Sequence, residues 1–192
     1  MFIADRINDH KETINKLYKK CMPDIEKLCE ISWNTIVSGN KILFCGNGGS
    51  AADCQHLAAE LISRYAVNRS PLPGLALSVD TSAITAIGND YGYEYVFSKQ
   101  VEGISKSGDL LIGISTSGNS LNVIQAVRVA KKTGCKTFCL SGNNGGQLVS
   151  ESENSIIVPS DVTGRIQEMH ILIGHIMCEY IENRFINRGK LH

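Results

Sequence analysis

His56 and Glu60 stand four residues apart, so a helix through them puts an imidazole and a carboxylate on one face. Such a pair can ligate a divalent metal or move protons. A second cluster lies near the C-terminal end of the chain. Gln167 and His175 are eight residues apart, about 80° round a helix axis at 3.6 residues per turn, and so share a side. His170 lies between them in sequence but about 60° from Gln167 on the far side from His175. Two imidazoles and a carboxylate suit Zn²⁺, with a place left open for a substrate oxygen. Gln is an uncommon metal ligand. The same residues also fit a plainer reading, in which His56 and Glu60 are an exposed helix pair and His175 is a hydrogen-bonded core histidine.

Two loops carry a different chemistry. "CGNGGSAA" (45–52) and "STSGNS" (115–120) are both small, rich in amide and hydroxyl groups, and placed to open a helix. Backbone N–H groups at a helix start attract phosphate, and glycines let a ligand approach the backbone. Neither loop is a P-loop, because no Lys follows the glycines, and neither is the GxGxxG dinucleotide fingerprint. Ser115, Thr116, Ser117 and Ser120 form a run of hydroxyls suited to a small phosphomonoester. Ordinary turn and capping chemistry uses the same residue types. "GNNGG" (142–146) is a third loop of this kind, with the turn reading stronger.

These residues must be positioned by elements, and the pattern is regular. Apolar runs at 41–45, 75–79, 109–115, 136–140 and 154–160 read as strands. Between them lie helical stretches at 50–65, 81–88, 92–104 and 121–133, and a long helix spans 164–187. Ser50 is placed to cap the first of these, with Asp53 three residues on in capping-box position. Ile3, Ile7, Ile14 and Leu17 form an amphipathic helical stripe, and Pro23 suits the first turn of a second helix ending near Gly39. The expected fold is therefore α/β: a three-layer sandwich with a parallel sheet of about five strands, preceded by an N-terminal helical hairpin. In such open sheets ligands sit beyond the carboxyl ends of the strands, where both small-residue loops fall.

Composition narrows the function further. The 192 residues fit one ordinary domain, and 43% are apolar, so a folded core is expected. Nineteen basic and nineteen acidic residues balance, with no basic block, which argues against nucleic-acid binding. No apolar run approaches the roughly 18 residues of a membrane span. "MFIADRINDHKET" lacks the apolar core of a signal peptide. Seven cysteines, an odd number without a CxxC pair, read as reduced packing residues of a cytoplasmic protein.

"CGNGGSAADCQHLAAEL", "GNDYGYEYVFSKQV", "LIGISTSGNSLNVI" and "RIQEMHILIGHI", in that order, resemble the phosphoheptose isomerases of the sugar-isomerase (SIS) domain superfamily. The likeness runs from about residue 3 to 183, and so implies a single SIS domain over 1–192. It implies conversion of sedoheptulose 7-phosphate to D-glycero-D-manno-heptose 7-phosphate, the first step toward nucleotide-activated heptoses of bacterial surface glycans. It also implies a homotetramer with sites at subunit interfaces and one zinc ion per subunit. The family's zinc ligands fall on His56, Glu60, Gln167 and His175. Its substrate contacts fall on Asn47, Gly48, Gly49, Glu60, Asn89, Asp90, Ser115, Thr116, Ser117, Ser120 and Gln167. On this resemblance the glycine turn holds sugar hydroxyls, and the 115–120 loop holds the distant phosphate.

Ketose–aldose isomerisation moves a proton between C1 and C2 through an enediol, and it needs a base near carbon and an acid at oxygen. Glu60 is the candidate base and His175 the candidate acid. A carboxylate bound to a cation is a weaker base, so ligand and base are competing roles for Glu60. Asp90 could orient hydroxyls or simply close the "GNDYG" turn. Two alternatives remain within the superfamily. One is a regulator that binds the replication initiator, from which the metal and acid–base residues would be lost; Glu60 and His175 are kept here. The other is arabinose 5-phosphate isomerase, which usually appends regulatory modules for which this chain has no room.

Overall fold

The computed structural model describes residues 1–189; the last three residues of the expected 1–192 span lie outside the described residues. Five strands, β1 (Ile42–Gly46), β2 (Gly74–Ala76), β3 (Leu110–Ser115), β4 (Lys136–Ser141) and β5 (Asn154–Ile157), form one parallel sheet in the order β2-β1-β3-β4-β5. The connecting helices are α2 (Gly49–Ile62), α3 (Thr81–Asp90), α4 (Ser98–Ile104), α5 (Leu121–Lys132) and α6 (Gly146–Glu151), with a 3-10 turn at Tyr93–Tyr95. The long helices α1 (Phe2–Val37) and α7 (Thr163–Gly189) begin and end the fold.

Alternate strand residues separate two cores. Ile42, Phe44, Leu110, Ile112, Phe138 and Leu140 pack with α1, α2 and α7 on one face. Leu43, Cys45, Leu111 and Cys139 pack with α4 and α5 on the other. The expected three-layer sandwich is thus present, because strands apolar on both faces need helices on both. All seven cysteines are free and buried, which fits packing residues.

The N-terminal hairpin is replaced by one helix of 36 residues that runs through Pro23. A proline inside a helix costs about 3 kcal/mol. The buried stripe Leu17, Cys21, Ile25 and Leu28 keeps its spacing across that proline, while Pro23 itself faces solvent. Burial of that stripe, at about 1.5–3 kcal/mol for a large side chain such as Leu17, Ile25 or Leu28, outweighs the local break signal. At the other end of α1 the stripe has no cover: Phe2, Ile3 and Ile7 are 77%, 75% and 52% exposed.

Candidate active site

The sheet order places the site. The chain leaves β1 toward β2 and returns to β3 on the opposite side of β1, so the loops after β1 and β3 part company above two adjacent strands. Such a switch point opens a crevice at the carboxyl ends of the strands. The starts of α2 and α5 both lie at this crevice, as the two small-residue loops require.

The first loop is built on backbone bonds rather than on a capping side chain. Gly48 takes the N-cap position with φ 54°, and its carbonyl accepts from the N–H groups of Ala51 and Ala52 at 3.1 and 3.2 Å. The capping box expected from Ser50 and Asp53 is therefore absent: Ser50 is buried within the first turn, and no side-chain cap bond forms at this helix start. Asp53 keeps a buried Oδ2 without a partner, and burial pushes its carboxyl up to about 6 against the opposing pull of His56. Asn47 is held by a reciprocal amide pair with Asn122, each Nδ2 donating to the other's Oδ1 at 2.9 Å, and Tyr93 Oη donates to Asn47 Oδ1 at 3.0 Å. Asn47, Tyr93, Glu94, Ser120, Leu121 and Asn122 line a pocket of about 370 Å³. A slightly larger cleft of about 400 Å³ lies along α1, but Glu12 and Lys16 on its wall already pair with each other.

In the second loop Ser115 and Ser120 place their hydroxyls 2.9 Å apart. Ser115 is buried, Thr116 and Ser120 are half-buried, and Ser117 is exposed. The loop after β4 braces this one. Asn143 Nδ2 donates to Thr116 O at 3.0 Å, and Leu148 N donates to Gly118 O at 2.8 Å. "GNNGG" thus supports the hydroxyl loop and leads into α6, which the sequence did not suggest.

Helices α2 and α7 lie side by side and point the same way. Gln167 meets Gly49 at the start of α2, where a Cβ built on Gly49 would stand 3.0 Å from Gln167 Cδ. Two turns on, His56 Nε2 and His175 Nε2 are 2.9 Å apart, with the rings edge to face. Glu60 Oε1 lies 3.5 Å from His56 Nε2. The helices can come this close because Leu57 packs over Gly174, where a Cβ would stand 2.6 Å from Leu57 Cδ1. Two ring nitrogens 2.9 Å apart need one electropositive partner between them, a proton or a cation, since two bare lone pairs would repel. Cys178, one turn beyond His175, is pushed up to about 12 by burial, with Glu60 adding to the rise, so it is a thiol rather than a thiolate.

Of the residues named from sequence, His56, Glu60 and His175 come together. Asn47, Gly48, Gly49 and Gln167 gather at the glycine turn, and Ser115, Thr116, Ser117 and Ser120 form the hydroxyl loop. Gln167 does not join the two histidines within one chain: eight residues of helix separate it from His175 by about 12 Å. Asn89 and Asp90 sit at the exposed end of α3 and bond each other, Nδ2 to Oδ1, at 2.8 Å. Among the described residues no group of three or more His, Cys, Asp or Glu closes round a common metal position.

Comparison with known proteins follows the same line. The SIS domain family model matches residues 7–142. A phosphoheptose isomerase of Aliarcobacter butzleri is 56% identical over 174 residues, 91% of this chain and 92% of that protein. One from Akkermansia muciniphila is 57% identical over 159 residues, covering 83% and 84%. The solved structure of a phosphoheptose isomerase from Neisseria gonorrhoeae superposes with a TM-score of 0.89 at 41% identity, covering 94% of this chain and 97% of that one. The chain belongs to the phosphoheptose isomerase family of SIS-domain proteins. It is an enzyme of the sugar-phosphate isomerase class, as the motif order implied.

Sequence reading of this SIS-domain isomerase missed Tyr93 and Asn122, which fix Asn47, and Tyr65, whose ring lies 5.8 Å from that of His175. It also missed Glu182 and Arg69. Glu182 is 2% exposed; burial pushes its carboxyl up, but the N–H groups of residues 65–67 and Arg69 outweigh that and hold it below its ordinary value. No sequence signal marked this pair, because the burial of Glu182 and its meeting with Arg69 are set by how α7 packs against the 65–69 turn.

Proposed function

We propose that the protein converts sedoheptulose 7-phosphate to D-glycero-D-manno-heptose 7-phosphate, opening the synthesis of nucleotide-activated heptoses for bacterial surface glycans. The observation that carries this reading is the meeting of His56, Glu60 and His175 on two parallel helices whose first turns hold the glycine loop. A heptose phosphate is long enough to span from these side chains to a separate phosphate anchor.

The hydroxyls of Ser115, Thr116, Ser117 and Ser120, with the N–H groups opening α5, take the phosphate. Asn47 and Gln167 orient sugar hydroxyls beside Gly48 and Gly49, and Asn89 and Asp90 belong to the same substrate set on family resemblance. Glu60 removes the C1 proton of the open-chain ketose while His175 protonates the C2 carbonyl oxygen, which gives the 1,2-enediol. Return of a proton to C2 and loss of the O1 proton give the aldose. The donor set of two imidazoles and a carboxylate fits Zn²⁺, one per subunit. Ligand nitrogens at about 2.0–2.1 Å from a tetrahedral ion stand roughly 3.3 Å apart, a few tenths of an ångström wider than the 2.9 Å seen here. His56, Glu60 and His175 would hold the ion, and Glu60 and His175 would each have to leave it to act as base or acid, since a coordinated carboxylate is a weaker base and a coordinated imidazole nitrogen has no proton to give; Gln167, a fourth ligand on family resemblance, stands at the glycine turn of its own chain. When bound, the ion supplies Lewis-acid polarisation of the carbonyl.

We further read the assembly as a homotetramer with sites at subunit interfaces, in the cytoplasm. The uncovered Phe2, Ile3 and Ile7 stripe supports association. No helix among the described residues is long and apolar enough to cross a membrane. Retention of Glu60 and His175 favours catalysis over a purely regulatory SIS domain. The test is a comparison of substrates: kcat/KM for sedoheptulose 7-phosphate should exceed that for arabinose 5-phosphate at least about 100-fold. The reverse order would transfer the assignment to the shorter sugar.

A further inference from the structure

The catalytic side chains lie on two separate helices, so something must fix the spacing between the end of α2 and the middle of α7. One buried ion pair is placed to do this. Arg69 and Glu182 are each only 3% exposed at the side chain, and Arg69 Nε donates to Glu182 Oε1 at 3.0 Å. The remaining nitrogens of Arg69 reach α2, where Nη2 donates to Glu60 O at 2.8 Å and Nη1 to Leu61 O at 2.9 Å, and Nη1 also donates to Ser70 O in the following loop at 3.0 Å. Arg69 thus caps the last turn of α2 at the very residue whose carboxylate faces His56. Glu182 lies seven residues after His175, two turns on, on nearly the same side of α7. Its carboxylate also accepts from three successive backbone N–H groups, Tyr65 at 2.8 Å, Ala66 at 2.7 Å and Val67 at 2.9 Å. That binding holds the turn carrying Tyr65, whose ring packs against His175. Three backbone N–H groups of residues 65–67 and the carbonyls of Glu60, Leu61 and Ser70 therefore meet at one pair of side chains, one of which stands on α7.

We propose that Arg69 and Glu182 are positioning residues for the isomerase site: a brace that sets Glu60 and His175 against each other, beyond any contribution to folding. The inference rests on the proposed acid–base roles of Glu60 and His175. A buried ion pair that served stability alone would be replaceable by neutral groups with little loss. Here the guanidinium also fixes the backbone of Glu60, and a neutral replacement cannot.

The test uses the double variant Arg69→Met/Glu182→Gln, which leaves no unpaired charge and keeps an amide oxygen for the 65–67 turn. The conservative variant Arg69→Lys keeps the charge but cannot bridge to both α2 carbonyls. A control, Lys41→Met/Asp109→Asn, removes the half-buried pair at the opposite end of the sheet. For the brace variants kcat should fall at least about tenfold with KM within about twofold, since roughly 1 Å of misplacement costs up to about 10²-fold. The control should keep wild-type kcat. The imidazole ¹⁵N resonances of His56 and His175 should move in the brace variants and not in the control. Wild-type kcat in a folded double variant overturns the proposal. If the double variant does not fold, Arg69→Lys decides, and wild-type kcat there overturns it equally. If the wild-type protein itself does not turn over sedoheptulose 7-phosphate, the functional reading has failed instead; the ¹⁵N resonances then decide the brace, and unchanged resonances overturn it.

Discussion

Replacing Gly49 with Ala separates the site from the fold. Gly49 has no left-handed φ, so Ala suits its backbone. Its Cβ, however, would stand 3.0 Å from Gln167 Cδ and 3.3 Å from Oε1, and closer still to Nε2. Ordinary contact between such atoms is about 3.5–4 Å, so the amide of Gln167 must retreat by roughly 1 Å. The obstacle is the far end of a flexible side chain, which can leave its rotamer for about 0.5–1.5 kcal/mol. Better helix propensity at position 49 returns up to about 1 kcal/mol. Net stability should change by no more than about 1 kcal/mol, or about 2–4 °C in unfolding midpoint for a domain of this size. Activity should change far more: a displacement of about 1 Å at a substrate-orienting group costs up to about 10²-fold in kcat/KM. Calorimetry and steady-state kinetics on sedoheptulose 7-phosphate measure the two quantities. The double variant with Gln167→Ala should match Gln167→Ala alone, because the clash has then lost its target. Wild-type kcat/KM in Gly49→Ala would refute a substrate role for Gln167 at the glycine turn. A midpoint lowered by more than about 8 °C would show instead that the backbone there cannot take a side chain.

Glu60→Gln and His175→Gln should each lower kcat at least about 10²-fold, the usual worth of a positioned base or acid, with folding retained; near-normal turnover in steady-state assays would remove that residue from the proton transfers. Ser120 makes no capping bond at α5 and faces Ser115 Oγ, so Ser120→Ala should leave the helix intact. Loss of a hydrogen bond to a charged phosphate, about 1.5–3 kcal/mol, should raise KM roughly 10- to 100-fold with a smaller effect on kcat; unchanged KM would place the phosphate elsewhere. Ile7→Asp puts a charge in the exposed apolar stripe and should shift the proposed tetramer to smaller species with parallel loss of activity, read by light scattering. His170 is fully buried and donates from Nε2 to Ser141 O at 3.1 Å; burial, only partly opposed by that bond, lowers its pKa from 6.5 to about 4. A depressed base contributes stability that is present above pH 6.5 and lost as pH falls through about 4, here about 3 kcal/mol. His170→Gln, which keeps a donor but cannot charge, should flatten denaturant stability between pH 6.5 and 4, and parallel pH curves for the two proteins would exclude His170 as the cause.

The central strands β1, β3 and β4 were legible because their apolar runs are buried on both faces, and these and β5 fall within a few residues of the runs that predict them. Strand β2 is shorter than "LALSV" suggests, three residues at the sheet edge with one neighbour. Pro23 misled because local turn chemistry was weighed without the tertiary stripe that overrides it. Helix α6 was hidden behind "GNNGG", whose glycines signal a turn while its asparagines brace the neighbouring loop. The site was legible in parts. His56 and Glu60 share a helix, so spacing alone pairs them, whereas His56 and His175 meet across 119 residues and only a family likeness joins them. The pairs Asn47–Asn122 and Arg69–Glu182 leave no periodic trace, because their partners are set by how α2, α5 and α7 stack. Gln167 shows the limit of angular reasoning: sharing a side with His175 does not put two residues at one height on the helix.

NMR on purified, zinc-loaded protein given sedoheptulose 7-phosphate decides the proposed reaction. The account predicts that D-glycero-D-manno-heptose 7-phosphate accumulates to equilibrium, that a chelator stops its formation, and that added Zn²⁺ restores it. The same reaction with Glu60→Gln should give at least about 100-fold less product in the same time. Absence of the aldose in the wild-type reaction, or equal turnover by Glu60→Gln, would contradict the account.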